Sequence, residues 1–232
     1  MIFLLRFSAV AGIVCIGVTF ALGAGDAKKP KEIKRWGTVT DPDGDCTFKE
    51  DKGKLTITVP AGFHDLHPNR AMNAARVLRE VDGDFTATVK VTCALTPGQS
   101  SIKGKTAGYF AGLLLWVGDK EYIRFERNAM RSVGDKFVSF TPLFEYWKNG
   151  GINPGQFVGR FDSFRGDATW FKLERKGGTV TAHCSHDGKE WVATRVVDTE
   201  LPKKLRIGVA ALNTSDVPFV ADFTELKIEA NK

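Results

Sequence analysis

Carboxylates, histidines and aromatic residues recur in this chain at spacings that suit several kinds of chemistry. In TDPDGDCTF, residues 40–48, Asp41, Asp43 and Asp45 stand at every second position beside Gly44 and Cys46. Three such carboxylates suit a structural calcium ion, a hard cation that takes oxygen ligands. A calcium loop needs a further acid in register downstream, and neither Glu50 nor Asp51 occupies it. Asp-Pro and Asp-Gly also favour plain turns in which the aspartate caps its own backbone, and the turn is the preferred reading. FHDLHP, residues 63–68, brings His64, Asp65 and His67, side chains that zinc favours, without a further ligand that the sequence can name. No Cys-x-x-Cys pair exists, so Cys46, Cys93 and Cys184 read as buried thiols at core-facing strand positions, with one disulfide the most they could form.

Acid chemistry is the second possibility. Glu80, Asp82 and Asp84 alternate in REVDGDF. A retaining glycosidase needs two carboxylates about 5 Å apart on one face of a flat strand. Gly83 falls between two of these acids, and an Asp-Gly step reverses the chain. Glu121 and Glu126 are offset by five residues, which puts them on opposite faces of a strand. No catalytic residue is assigned.

A polar and aromatic face is the strongest of these signals. In KEYIRFERN, Ile123 and Phe125 point one way, and Tyr122, Arg124, Glu126 and Asn128 point the other. In TWFKLER, Trp170, Lys172 and Glu174 are outward; in GTVTAHC, Thr179, Thr181 and His183 are. If these strands share one concave sheet, Tyr122, Arg124, Glu126, Asn128, Trp170 and His183 line a single groove. An aromatic ring beside charged and amide groups is what sugar recognition asks for. A half-exposed sheet with routine cross-strand Arg–Glu pairs would give the same pattern. Trp147, before KNGG, suits a stacking platform at that groove and equally suits a plug over the core.

The elements that must position these residues are strands. KLTITV, DFTATVKVTC, GYFAGLLLWVG and EYIRFERN are short apolar-alternating runs cut by Gly, Asp, Asn and Pro. GYFAGLLLWVG is apolar at nearly every position, which predicts a central strand buried on both faces. WFKLERKGGTVTAHCSHDGKEWVATRVV reads as three strands joined by Gly-Gly and Asp-Gly. LRIGVAALN and FVADFTELKIE close the chain. Only NRAMNAARVLREV admits a helix, and its RVLREV end equally starts a strand. The segment SFTPLFEYWKNGGINPGQFVGRFDSFRGD has no clean period and reads as an extended loop. The fold class expected is all-β, a two-sheet antiparallel β-sandwich or jelly roll.

The N-terminus carries Arg6 and then an apolar run of roughly 16 residues, short of the roughly 20 that span a bilayer. Small residues follow, so residues 1–24 read as a signal peptide, 25–35 as a basic linker and 36–230 as one domain. The formal net charge is +6, but KKPKEIKR at 28–35 concentrates the excess, leaving the domain close to neutral. That distribution argues against a nucleic-acid partner, which asks for a basic face on the folded part. A secreted or periplasmic protein without a stable membrane span after cleavage is expected.

WFKLERKGGTVTAHCSHDGKEWVATRVV, then KLRIGVAALNTS and FVADFTELKI, resembles secreted concanavalin A-like domains of the lectin/glucanase superfamily. More narrowly, it resembles bacterial exported domains of unknown function related to the "regulation of enolase" group. NAARVLREVDGDFTATVKV and AGLLLWVGDKEYIRFER fit the same pattern in order, so the resemblance covers most of residues 36–230. It implies a concanavalin A-like sandwich and is weak for activity, because one fold hosts many functions. The function expected is a non-catalytic exported module that binds carbohydrate or another extracellular ligand. A glycoside hydrolase-like enzyme and a cell-envelope protein-interaction module are the alternatives.

Overall fold

The computed structural model describes residues 31–132, 138–139, 142–162 and 166–231. The expected signal peptide, 1–24, and the linker as far as residue 30 lie outside the described residues. Glu32–Ile33 pairs with Gly37–Thr38, and Ile33 and Trp36 are buried in the core, so the end of the stretch read as linker is folded.

Thirteen strands of four or more residues carry the architecture. They are β1 Gly37–Thr40, β2 Thr47–Asp51, β3 Lys54–Val59, β4 Ala75–Asp82, β5 Phe85–Cys93, β6 Ala107–Gly118 and β7 Glu121–Arg131. Then come β8 Leu143–Lys148, β9 Ala168–Lys176, β10 Thr179–Ser185, β11 Val192–Asp198, β12 Lys204–Asn213 and β13 Phe219–Ala230. One sheet runs β1–β4–β12–β6–β7–β8, extended at its two ends by Glu32–Ile33 and Gly151–Asn153, with Val138–Ser139 pairing on β7. The other runs β11–β10–β9–β5–β13–β3–β2, with Gln156–Phe157 beyond β11. Every ladder in the two sheets is antiparallel. The expected two-sheet sandwich is present.

Alternation builds the core, because successive residues of a pleated strand face opposite sides. Along β5, Phe85, Ala87, Val89, Val91 and Cys93 are buried while the threonines and Lys90 between them are partly exposed. Phe125 of the first sheet meets Phe171 of the second edge to face, with ring centroids 4.8 Å apart. Each such fully buried ring contributes about 1.5–3 kcal/mol. Cys93 and Cys184 lie in this core, Cys46 is half-buried at its edge, and all three are free thiols.

Three local readings resolve. RVLREV is β4 rather than helix, because β4 is hydrogen-bonded between β1 and β12 and tertiary pairing outweighs helical propensity. The chain reverses at Gly83, whose φ of 75° suits glycine, between β4 and β5. The segment expected as one long loop instead holds β8, Gly151–Asn153 and Gln156–Phe157; its residues 140–141 and 163–165 lie outside the described residues. No helix among the described residues is long and apolar enough to cross a membrane.

Candidate functional site

The outer face of the first sheet is covered over part of its area. Residues 61–74 fold over it as a strap containing a two-stranded ribbon, Leu66–His67 against Ala71–Met72. Asn73 holds the strap's shape. Its side-chain oxygen accepts from the Asp65 N–H at 3.0 Å, and its Nδ2 donates to the Phe63 carbonyl at 2.9 Å and to Asp43 Oδ2 at 2.6 Å. Leu66 and Ala74 then pack on Leu78, Leu114, Trp116 and Tyr122, making a second buried apolar cluster. This is why β6 is apolar on both faces. One face meets the sandwich core and the other meets the strap.

Tyr122 and Trp147 are therefore structural. Tyr122 is fully buried, stacks between Trp116 and Trp147, and donates its hydroxyl to the Leu66 carbonyl at 2.7 Å. Trp147 meets His67 edge to face at 4.9 Å. Of the two roles that Trp147 suits, it takes the plug.

Arg124 is the charged centre of this face. Its Nη2 lies 2.6 Å from Glu145 Oε2 and its Nε donates to the same oxygen at 2.7 Å, while Trp147 Nε1 donates there at 3.0 Å. Nη1 stands 3.6 Å from Asp65 Oδ1 and has no hydrogen-bond partner. Burial alone would lower the guanidinium pKa, but Glu126, Glu145 and Asp65 outweigh it and hold the charge in place. Glu126 follows on the same face, 3.7 Å from Arg124 Nε, fully buried, with neither oxygen hydrogen-bonded. Burial pushes it up to about 8, against the pull of Arg124. Burial thus favours the neutral acid at Glu126, while Glu145 is the carboxylate hydrogen-bonded to the guanidinium.

Beside Arg124 a cavity of about 310 Å³ opens, lined by Phe63, Asp65, His67, Arg70, Phe110 and Arg124 among others. The guanidinium carbon of Arg124 sits 5.4 Å from the Phe110 ring centroid, a cation–π approach that fixes both side chains. The combination is an aromatic ring, a carboxylate, an imidazole and two guanidiniums around one hollow. A larger trough of about 440 Å³ lies at another part of the sheet, lined by Glu80, Asp82, Trp116, Lys204 and Arg206. There Lys204 stands opposite Asp82 and Arg206 opposite Glu80 across the ladder, so its charges face each other.

The single groove expected from the alternation does not form. Tyr122, Arg124, Glu126, Asn128 and Trp147 share the outer face of the first sheet. Trp170 and His183 belong to the second sheet, on β9 and β10. Parity gave each strand's outward side correctly, but the two groups face away from each other across the sandwich. Trp170 donates Nε1 to Glu225 Oε2 at 3.2 Å, and the Lys90 ammonium lies 4.4 Å from its ring centroid. His183 has its pKa lowered, first by burial and then by Lys172. Asn128 is buried at the level of Phe110, its partner across the ladder.

Asp41 makes the turn that Asp-Pro-Asp-Gly predicted: its carboxylate accepts from the Gly44 N–H at 3.3 Å and the Cys46 N–H at 3.1 Å. Asp43 and Asp45 do something else and converge on His64. Glu145, Phe110 and Arg70 carried no signal in the sequence as members of one site. Asp65 did, within FHDLHP.

A family model described as "Protein of unknown function (DUF1349)" matches residues 45–231. The chain belongs to that family. The matched stretch contains the strap, Arg124, Glu126 and Glu145, so the cavity lies inside the DUF1349 domain. Comparison with curated proteins finds no match. Among solved structures, a functionally unknown protein from Saccharomyces cerevisiae is similar with a TM-score of 0.63 at 15% identity, over 85% of this chain and 97% of that one. The GH43 protein BlXynB from Bacillus licheniformis gives 0.57 at 17%, over 83% of this chain and 36% of that one. Xylan beta-1,4-xylosidase from Bacillus halodurans gives 0.57 at 15%, over 87% and 38%. The chain thus spans little more than a third of these last two proteins. Likeness at such identity is likeness of fold, here the two-sheet antiparallel sandwich.

Proposed function

We propose that this domain is an exported carbohydrate-binding module whose ligand enters the cavity at Arg124. One observation carries the reading: the Arg124 and Arg70 guanidiniums, the Asp65 carboxylate and the Phe110 ring line one hollow of about 310 Å³. A sugar presents hydroxyls to such donors and acceptors and a C–H face to such a ring. Arg70 and Lys105 add positive charge to the lining against the single carboxylate of Asp65, which favours a sugar bearing an acid group. The apolar run behind Arg6, with small residues after it, supports export to where such polymers occur.

The test is an array of neutral and uronic acid-containing oligosaccharides probed with the purified protein. Binding that Arg70→Ala weakens about tenfold, the size of a lost hydrogen bond to a charged group, supports the proposal. No binding to any glycan, or binding unchanged in Arg70→Ala and Phe110→Ala alike, overturns it.

Glu126 favours a second reading, a glycoside hydrolase-like enzyme, because a carboxyl whose neutral form is favoured by burial is what a general acid requires. Both its oxygens are sealed from solvent, which weighs against contact with a substrate. Release of reducing sugar from a bound oligosaccharide, lost in Glu126→Gln, would establish that reading in place of simple binding.

A further inference from the structure

The sequence offered two weak metal signals, the aspartates of DPDGDC and the histidines of FHDLHP, neither sufficient alone. The fold brings them together. His64 is 4% exposed, and its Nε2 lies 3.2 Å from both carboxylate oxygens of Asp45 and 3.7 Å from Asp43 Oδ2. Cys46 Sγ is 3.6 Å from Asp45 Oδ1, and donor atoms of Asp45, Cys46 and His64 all lie within 4.8 Å of one another. His64 Nδ1 has no hydrogen-bond partner, so the ring is oriented by what lies at Nε2.

We infer that Asp45, Cys46 and His64, with Asp43 as the fourth group, form a site for a divalent transition metal of the zinc class. Two arguments support this. First, two carboxylates converge on one imidazole nitrogen, which has at most one proton to donate, so they bring more acceptor oxygens than His64 can satisfy. Second, the distances fit. Tetrahedral zinc with bonds of about 2.0–2.3 Å sets its ligand atoms about 3.3–3.6 Å apart; His64 to Asp45 at 3.2 Å and Cys46 to Asp45 at 3.6 Å lie at that edge, and Cys46 and His64 lie within 4.8 Å of each other. Calcium is the poorer match, because it takes six to eight oxygens and has little use for an imidazole or a thiol.

The surroundings suit the role. Asn73 Nδ2 grips Asp43 Oδ2 at 2.6 Å, the outer hydrogen bond that orients a ligating carboxylate. Asp41 holds the turn from within through the Cys46 N–H. The metal would tie this turn to the strap, since His64 belongs to the strap and Asp45 and Cys46 to the turn. The next residue after His64 is Asp65, which faces Arg124 in the cavity. Its role is thus to hold the strap in place, and it does not depend on what the cavity binds.

The protein, stripped with chelator, is titrated with Co²⁺ and then with Zn²⁺ in competition. Expected is one metal per chain, with a near-ultraviolet thiolate-to-cobalt charge-transfer band and the visible bands of a tetrahedral ion. Cys46→Ser removes the charge-transfer band, and Asn73→Ala weakens Zn²⁺ binding by about 10- to 100-fold. Asp45→Asn, at a largely exposed side chain, weakens binding without demanding that a buried position be repacked. No saturable binding at one equivalent overturns the inference and leaves a plain Asp–His pair. So does binding of Ca²⁺ but not Zn²⁺, or a Co²⁺ spectrum unchanged in Cys46→Ser and Asp45→Asn.

Discussion

Arg124 and Glu145 stand opposite each other on neighbouring strands β7 and β8, and a single carboxylate oxygen accepts both the Nε and Nη2 contacts, at 2.7 and 2.6 Å. That oxygen also takes the Trp147 indole N–H at 3.0 Å. The pair connects the apolar plug under the strap to the charged wall of the cavity.

Glu145→Ala leaves the Arg124 charge buried without its hydrogen-bonded carboxylate. The expected cost is about 3 kcal/mol, as for other buried pairs broken on one side. The double variant Arg124→Met/Glu145→Leu should cost less than the two single changes combined, because no orphaned charge remains. Urea denaturation of the four proteins measures the coupling; additive losses would mean that the contact contributes nothing.

Glu126 predicts a pH dependence with a definite sign. Its value rises from 4.5 to about 8 in the fold, so the folded state binds the proton more tightly than the unfolded chain does. The associated stability is fully present below pH 4.5 and is lost as pH climbs through about 8. Glu126→Gln keeps the neutral shape and does not titrate. The difference between wild type and variant should change by about 3–5 kcal/mol across that window, in favour of the variant at high pH. Thermal unfolding at stepped pH checks it, and parallel curves would refute it.

Tyr122→Phe removes the donor to the Leu66 carbonyl and leaves that oxygen unpaired inside the second cluster. A loss of about 1–2 kcal/mol is expected. Amide exchange should quicken across residues 61–74 and stay unchanged in β5, on the other sheet.

Trp170→Ala separates the two faces. It should cost about 1 kcal/mol through lost packing of a partly exposed ring against Lys90 and Gly188, and leave binding at the Arg124 cavity unchanged. A fall in glycan affinity would place the ligand on the second sheet.

Much of the architecture was legible in the two-residue period. β6, β7, β9 and β12 each contain the run that announced them, β5 and β10 all but its first residue, and in β7, β9 and β10 the outward residues were assigned to the proper side. The β6–β7 hairpin was legible in the short GDK turn, but the sheet that β9 joins was not, because nothing local in TWFKLER says that it pairs with β5. Hence Tyr122 and Trp170 were expected together and lie apart. The strap was hidden for a related reason. FHDLHP has no period, and its burial depends on Leu66 reaching a sheet formed from residues far along the chain. The Asn149-Gly150 hairpin after β8 was read as part of an extended loop, although Asn-Gly is the usual two-residue turn and both residues have positive φ. The meeting of His64 with Asp45 spans 19 residues through the β2–β3 hairpin and a loop, beyond what spacing can reveal.

The three free cysteines sit at different depths: Cys93 in β5 and Cys184 in β10 inside the core, Cys46 half-buried beside the turn. Burial pushes Cys93 up to about 12, so it reacts only when its surroundings open. The domain therefore carries its own set of opening reporters. Burial, with Asp41 and Asp45 beside it, raises the Cys46 thiol as well, so alkylation rates at all three positions read out, without any added label site, how often each layer of the sandwich parts.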